Sequence, residues 1–242
     1  MTNDKKLKDI HLNDILFLDV ETVPKTEKFS ELNDNFQKHW EKKSKFFRTD
    51  DESPEDVYQR AGIYAEFGKI ICISAGFINT GDKKTLRVKS FFGDDEKQLL
   101  EEFSQMLHSW DKTGNKILCG HNIKEFDVPY ISRRMLVNNL VLPNSIDNAG
   151  KKPWEVKHID TLELWKFGDY KNYTSLAILT DLFDIPTPKD DIDGSMVAEV
   201  YYKEKNLDRI VSYCEKDVLA VTNLFLRFRN ESIIPFENLE KV

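Results

Sequence analysis

Hydrophobic and polar positions divide this chain into segments of two periods. Ile15-Leu16-Phe17-Leu18 is an unbroken apolar run, as in a strand buried on both faces, and it predicts a strand over about 14–20. Apolar, β-branched runs predict further strands over about 69–78, 85–92 and 116–119, the first two of these joined by a hairpin turning at Thr80-Gly81-Asp82. Leu99, Leu100, Phe103, Met106, Leu107 and Trp110 recur at helical spacing and predict a helix over about 95–110. Leu207, Ile210, Val211, Cys214, Val218, Val221, Phe225 and Phe228 form one apolar stripe of a helix running from about 207 to 228. The strand Lys116-Ile117-Leu118-Cys119 breaks at Gly120, and a helix follows with Phe126, Pro129, Tyr130, Ile131, Met135 and Leu136 on its apolar face. Proline is tolerated there only in the first turn, so Asp127 falls at or just before the helix N-terminus. A short extended piece near 157–160 and helices near 173–184 and 194–204 complete the pattern. Three strands, a helix, a strand and then helices predict an α/β domain with a mixed sheet flanked by helices. The whole of 1–242 reads as one domain, with the irregular stretch at about 25–64 as a charged insertion.

Acids stand at the ends of these elements. Side chains alternate along a strand, so Asp19 and Glu21, just past the apolar run, point the same way. Two like charges held that close to an apolar core are costly unless a divalent cation sits between them. On the last helix Tyr213 and Asp217 lie about 40° apart beside the buried stripe, where they flank the core. That spacing alone also fits a boundary aromatic and a solvated charge. Asp127 fits equally an N-cap and a functional acid. His121 reads as a local hydrogen-bonding group, and Asp160 in Ile159-Asp160-Thr161-Leu162 as a helix cap.

Taken in order, the segments Phe17-Leu18-Asp19-Val20-Glu21-Thr22, Gly120-His121-Asn122 with Asp127, and Tyr213 four residues before Asp217 resemble the DEDD superfamily of 3′→5′ exonucleases. Asp19 and Glu21 match its first pair of acids, Asp127 its second-motif acid and Asp217 its last. Tyrosine four before the last acid, with Ser212 where another branch has histidine, is similar to the tyrosine branch and to the exonuclease domain of family B DNA polymerases. Residues 17–24, 120–129 and 186–195 resemble a group of stand-alone predicted exonucleases related to that domain. The resemblance implies a ribonuclease H-like fold and a two-metal mechanism with two Mg²⁺ or Mn²⁺ ions. It implies that Asp19 bridges both ions, that Glu21 and Asp217 complete the site holding the attacking water, that Asp127 supports the second ion and that Tyr213 orients the water. Thr22, Asn122 and Phe126, inside the same motifs, are the candidate substrate-binding residues. The substrate implied is single-stranded nucleic acid, DNA favoured over RNA, cut to mononucleotides from its 3′ end. The competing class, a binding module that kept the fold and lost the chemistry, would be marked by a missing acid, and none is missing.

Composition changes this picture little. A net charge of -7 over 242 residues argues against binding nucleic acid through overall basicity, although bound cations would offset the acids of a metal site. Cys72, Cys119 and Cys214 lie in apolar stretches with no paired spacing and read as buried thiols of a cytoplasmic protein. The polar N-terminus shows no signal peptide, the longest apolar stretch near 70–78 is too short to cross a membrane, and any polymerase or repair partner is expected to be a separate chain. Within 25–64, Lys38, Lys42, Lys43, Lys45 and Arg48 mix with His39, Trp40, Phe46 and Phe47 ahead of an acidic run. A helical cover with packed aromatics is the favoured reading there, and a grip on a single strand the alternative. Asp190, Asp191 and Asp193 before Gly194 do not form a calcium loop, because Lys189 and Val200 fall on ligand positions; Asp193-Gly194-Ser195 reads as a turn.

Overall fold

In the computed structural model the described residues are 7–81, 83–169, 171, 173–186 and 192–242. The apolar run opens strand β1 (Ile15–Pro24), which pairs antiparallel with β2 (Gly68–Thr80), itself antiparallel to β3 (Lys84–Phe92). On the other side β1 pairs parallel with β4 (Ile117–Gly120), and β4 with the two-residue β5 (Ile159–Asp160). The order is β5-β4-β1-β2-β3-β6, where β6 (Leu239–Lys241) runs parallel to β3 at the edge. This is the mixed α/β sheet of the ribonuclease H-like kind.

Two differences from the expected elements have physical causes. β1 runs on to Pro24 because its far end stays paired to β2 as far as Gly68. β6 carries no alternating pattern of its own; pairing with β3 joins it to the sheet, and its Lys241, 2.5 Å from Glu215, ties it to the last helix. The hairpin between β2 and β3 lies where expected, with Asp82 outside the described residues. Residues 187–191, which include Asp190 and Asp191, also lie outside them.

Alternation along β1 sends its residues into two cores. Leu16, Leu18 and Val20 meet Leu99, Leu100 and Phe103 of α2 (Glu96–Trp110) and Tyr130, Ile131 and Met135 of α3 (Asp127–Val137). Phe17 meets the opposite layer, with its ring 5.7 Å from Phe225 of the long helix (Leu207–Phe228). Strands buried on both faces need a continuous apolar run, which explains the one in this sequence.

A buried ion pair closes the α2–α3 side. Arg134 donates from Nε to Glu96 Oε1 at 2.8 Å and from Nη2 to Glu96 Oε2 at 2.6 Å, while its Nη1 reaches the Ala65 carbonyl at 2.9 Å. The backbone N–H of Ile70 and the side-chain amide of Asn138 also donate to Glu96. Every nitrogen of Arg134 and both oxygens of Glu96 thereby have a hydrogen-bond partner, the condition under which burial of such a pair is tolerated.

The 25–64 stretch folds as a cover. Helix α1 (Asp34–Ser44) starts at Asn33, whose side chain accepts the Phe36 N–H, and it buries Trp40 completely. The Trp40 indole donates to the Pro54 carbonyl at 2.8 Å, and its ring packs on Tyr58, Phe47, Tyr64 and Phe67. Phe46, by contrast, is exposed. Past β5 the chain forms a short helix (Thr161–Lys166), a second (Leu176–Leu182), and a third (Val197–Glu199) that widens into a π-helical turn (Val200–Glu204) ahead of the long helix. We number these α4, α5 and α6, and the long helix α7. No described helix is long and apolar enough to cross a membrane.

Candidate active site

β1 delivers Asp19 and Glu21 to the face that α7 covers. There the register between β1 and β2 shifts, from Glu21 opposite Cys72 to Thr22 opposite Ile70, so Ile71 is the extra residue of a bulge. Bulges of this kind bend a strand and re-aim its side chains, and this one sits directly beyond the two acids. α7 lies across them. Its Cys214 thiol is 3.3 Å from Asp19 Oδ2, and one ligand atom each from Asp19, Glu21 and Cys214 lie within 4.8 Å of one another. Along the chain Cys214 is marked only by its place in the apolar stripe of this helix.

Asp127 and Asp217 lie outside that three-atom group but close enough to act on it. Burial, followed by the charges of Asp217 and Asp127, holds the Asp19 carboxyl well above the usual carboxylate range. Burial, then Asp19 and Asp217, does the same to Glu21. Asp127 begins α3, where the helix dipole favours the ionised form, yet burial outweighs this and Asp160 and Asp217 add to it, raising its carboxyl to about 8. Four acids from three distant segments thus share one region along the middle of β1, just beyond the carboxyl ends of its parallel neighbours β4 and β5, the place where open α/β sheets bind ligands.

Tyr213 is half-buried one turn before Asp217, and its hydroxyl bonds that carboxylate. Burial, then Asp217, Glu21 and Asp19, pushes the phenol far above its ordinary range, so it keeps its proton at neutral pH. The adjacency expected from helical spacing is therefore present as a contact.

The loop carrying the second motif is held by its neighbours. A side chain at Gly120 would collide with Ile123, which explains a glycine where β4 ends. Asn122 has φ of 65°, a left-handed conformation that asparagine tolerates, and its carbonyl accepts the Phe126 N–H at 2.9 Å. Asp160, buried at the tip of β5, caps α4 through the Leu162 N–H as expected. It also accepts the N–H of Asn122 at 2.9 Å and of Lys124 at 3.2 Å, a clamp that the sequence did not show. His121 bonds Thr161 Oγ1 and the Thr174 carbonyl, each at 2.9 Å, which is the local role expected of it. The carbonyl contact requires Nε2 to carry the proton. Burial lowers the His121 pKa, in keeping with a neutral ring.

Of the candidate substrate-binding residues, Thr22 is half-buried beyond the bulge beside the Tyr130 hydroxyl, which itself donates to the Gly62 carbonyl at 2.8 Å. The Phe126 ring rests on Tyr130 at 5.4 Å. Tyr173 is largely exposed, yet partial burial and then the charges of Asp160, Asp127 and Glu125 raise its phenol. Asp193 accepts the N–H and hydroxyl of Ser195 in the expected turn and is exposed.

Residues 63–233 match the family described as predicted 3′-5′ exonuclease related to the exonuclease domain of PolB. The chain belongs to this family. The matched segment carries Asp127, Tyr213 and Asp217, while Asp19 and Glu21 precede it. Membership places the protein among predicted 3′→5′ exonucleases, a class whose domains use divalent metals. The fold is similar to that of a family B DNA polymerase from the hyperthermophilic archaeon Pyrobaculum calidifontis, with a TM-score of 0.52 and 14% identity. That likeness covers 89% of this chain and 24% of the polymerase, so the chain spans about a quarter of the length of the larger protein. No curated protein matches the sequence.

Proposed function

We propose that this protein is a tyrosine-branch, metal-dependent 3′→5′ exonuclease that removes mononucleotides from single-stranded nucleic acid, DNA in preference to RNA. The observation that carries the reading is the convergence of Asp19, Glu21, Asp127 and Asp217, with the carboxyls of the first three held above their usual range by burial and mutual repulsion. Such a cluster fits divalent cations, because cations remove the cost of ionising buried acids side by side. In this reading Asp19, Glu21, Asp127 and Asp217 would hold the ions, Asp19 serving both, Glu21 and Asp217 one and Asp127 the other. Bound Mg²⁺ or Mn²⁺ would neutralise the scissile phosphate and supply a water of lowered pKa. Tyr213 keeps its proton, so it orients that water by hydrogen bonding and does not act as a base. The water oxygen would form the new bond to phosphorus as the P–O3′ bond breaks, with the proton lost by the water passing to solvent and the leaving 3′ oxygen taking one from solvent to end as a hydroxyl. Thr22, Asn122 and Phe126 are proposed to contact the terminal nucleotide, Asn122 alongside its work in the turn. The family's relation to a DNA polymerase exonuclease domain supports DNA as the substrate and a polymerase as a candidate partner.

The test is digestion of 5′-labelled DNA and RNA strands of equal sequence with Mg²⁺, Mn²⁺ or chelator. The reading expects a ladder shortening from the 3′ end with metal only, abolished by a blocked 3′ terminus. Equal cutting of a circular single strand would refute it.

A further inference from the structure

α1 walls a second cavity that the chemistry above does not use. Phe36, His39 and Lys43, at helical spacing three and four residues apart, lie on one face of α1. Opposite them stand Lys25, directly after β1, and Glu66-Phe67, directly before β2. The space between is about 620 Å³, within the range of sites that hold ligands of nucleotide size. Its apolar wall is aromatic: Phe36 meets Phe67 at 6.1 Å and His39 at 6.2 Å.

Charge sets the occupant. The Lys25 ammonium lies 4.9 Å from the centre of the Phe36 ring and that of Lys43 lies 4.3 Å from the centre of Tyr64, and neither has a carboxylate partner among the described residues. Arg134 also borders the space but is committed to Glu96. Among the described residues Glu66 is the one acid on the wall, against the two lysines. In a chain of net charge -7, two ammonium groups with no described carboxylate partner, beside the half-buried ring of Phe36, suit a ligand that is both anionic and planar. Position narrows the choice. Lys25 is four residues along β1 from Glu21, about 13 Å at the rise of an extended strand. A strand of a few nucleotides spans that distance.

We propose that this cavity is a subsite for the single-stranded substrate, taking one unstacked base against Phe36 and Phe67 with its flanking phosphates at Lys25 and Lys43. The proposal rests on the exonuclease reading for the direction of the strand. α1 and Lys25 precede residues 63–233, while Glu66, Phe67 and Arg134 fall within them, so the subsite is built partly from the chain outside the family match. It makes grip depend on strand length, and it excludes duplex, whose bases cannot leave the stack to enter without breaking their pairs.

The experiment compares wild type with the Lys25→Ala/Lys43→Ala double variant, using fluorescent oligothymidylates of about three and about ten nucleotides. Binding is measured by anisotropy in chelator, and digestion with Mn²⁺ in parallel. The longer strand should bind the double variant about 10- to 100-fold more weakly, with its salt slope reduced by about 1.4, or about 0.7 for each lost phosphate contact. The short strand should bind and be cut as by wild type. Unchanged affinity for the longer strand, or equal weakening of both lengths, would overturn the subsite. Length-dependent weakening together with no digestion by wild type would leave the subsite standing and overturn the exonuclease reading. Unchanged circular dichroism and melting of the variant exclude misfolding as the cause.

Discussion

Asp160→Ala tests whether the second-motif loop is held in place by one buried carboxylate. The substitution removes an acceptor of three backbone N–H groups, those of Asn122, Lys124 and Leu162. A bond from an amide to an ionised acceptor is worth about 1.5–3 kcal/mol, and a donor left buried without a partner costs about 1–3 kcal/mol. The contact with Leu162 is fully buried, while those with Asn122 and Lys124 lie half-buried, where water can replace part of what is lost. Loss of the charge also relieves the repulsion on Asp127, which returns a fraction. The net expectation is a loss of about 3–5 kcal/mol in urea unfolding of the metal-free protein. Asp160→Asn keeps an oxygen for Asn122 and Leu162 but turns an NH₂ toward the Lys124 N–H, for a loss of about 1–2 kcal/mol. Activity should fall in the same order, because α3 and Asp127 follow directly on this loop. A loss below about 0.5 kcal/mol for Asp160→Ala, the level of an ordinary surface change, would refute the reasoning.

Tyr213→Phe keeps the ring and deletes the hydroxyl that bonds Asp217; single-turnover kcat should drop about 10- to 1,000-fold, with Mn²⁺ affinity by calorimetry unchanged. Full activity would make the tyrosine a boundary aromatic only. Glu96→Gln leaves Arg134 buried beside a neutral partner and should cost about 3–5 kcal/mol of stability, with kcat at saturating substrate little altered. The acids predict a pH effect whose sign follows from their raised folded pKa values. Metal-free stability from Asp127 is fully present below its unfolded value of 3.8 and is lost as pH rises through about 8. Melting in chelator should therefore drop from pH of about 5 to about 8, less so in Asp127→Asn, and Mn²⁺ should raise it more at the higher pH. A flat profile in wild type would contradict the clustering of the acids.

Much of this was legible where local pattern and burial coincide. The run Ile15–Leu18 and the alternation after it placed Asp19 and Glu21 side by side, and the period over 207–228 gave α7 and the contact of Tyr213 with Asp217. Other features depend on partners far away in the chain. Asp160 was readable as a cap through Leu162, two residues on, but its other donors are 38 and 36 residues earlier, across a strand pairing. Cys214 looked like one more apolar position; its contact with Asp19 exists only because α7 crosses β1. α1 buries only Trp40 and Ser44, too little to write a stripe into the sequence; of the segment's aromatics Trp40 and Phe47 pack as in the favoured cover, against Tyr58, Tyr64 and Phe67, while His39 and Phe46 stay exposed. β6 is a three-residue edge with one half-buried position, below the length at which any period can show.

The proposal that the four acids form one two-metal centre is tested most directly by Mn²⁺ titration calorimetry on wild type and Asp19→Ala, with single-turnover digestion run on the same samples. Wild type should bind about two equivalents and shorten a strand from its 3′ end. Asp19→Ala should lose the bridging ligand, and with it coupled metal binding and turnover, while binding a single strand in chelator at least as well as wild type because a repelling acid is gone. Wild-type stoichiometry and wild-type turnover in Asp19→Ala would contradict the account.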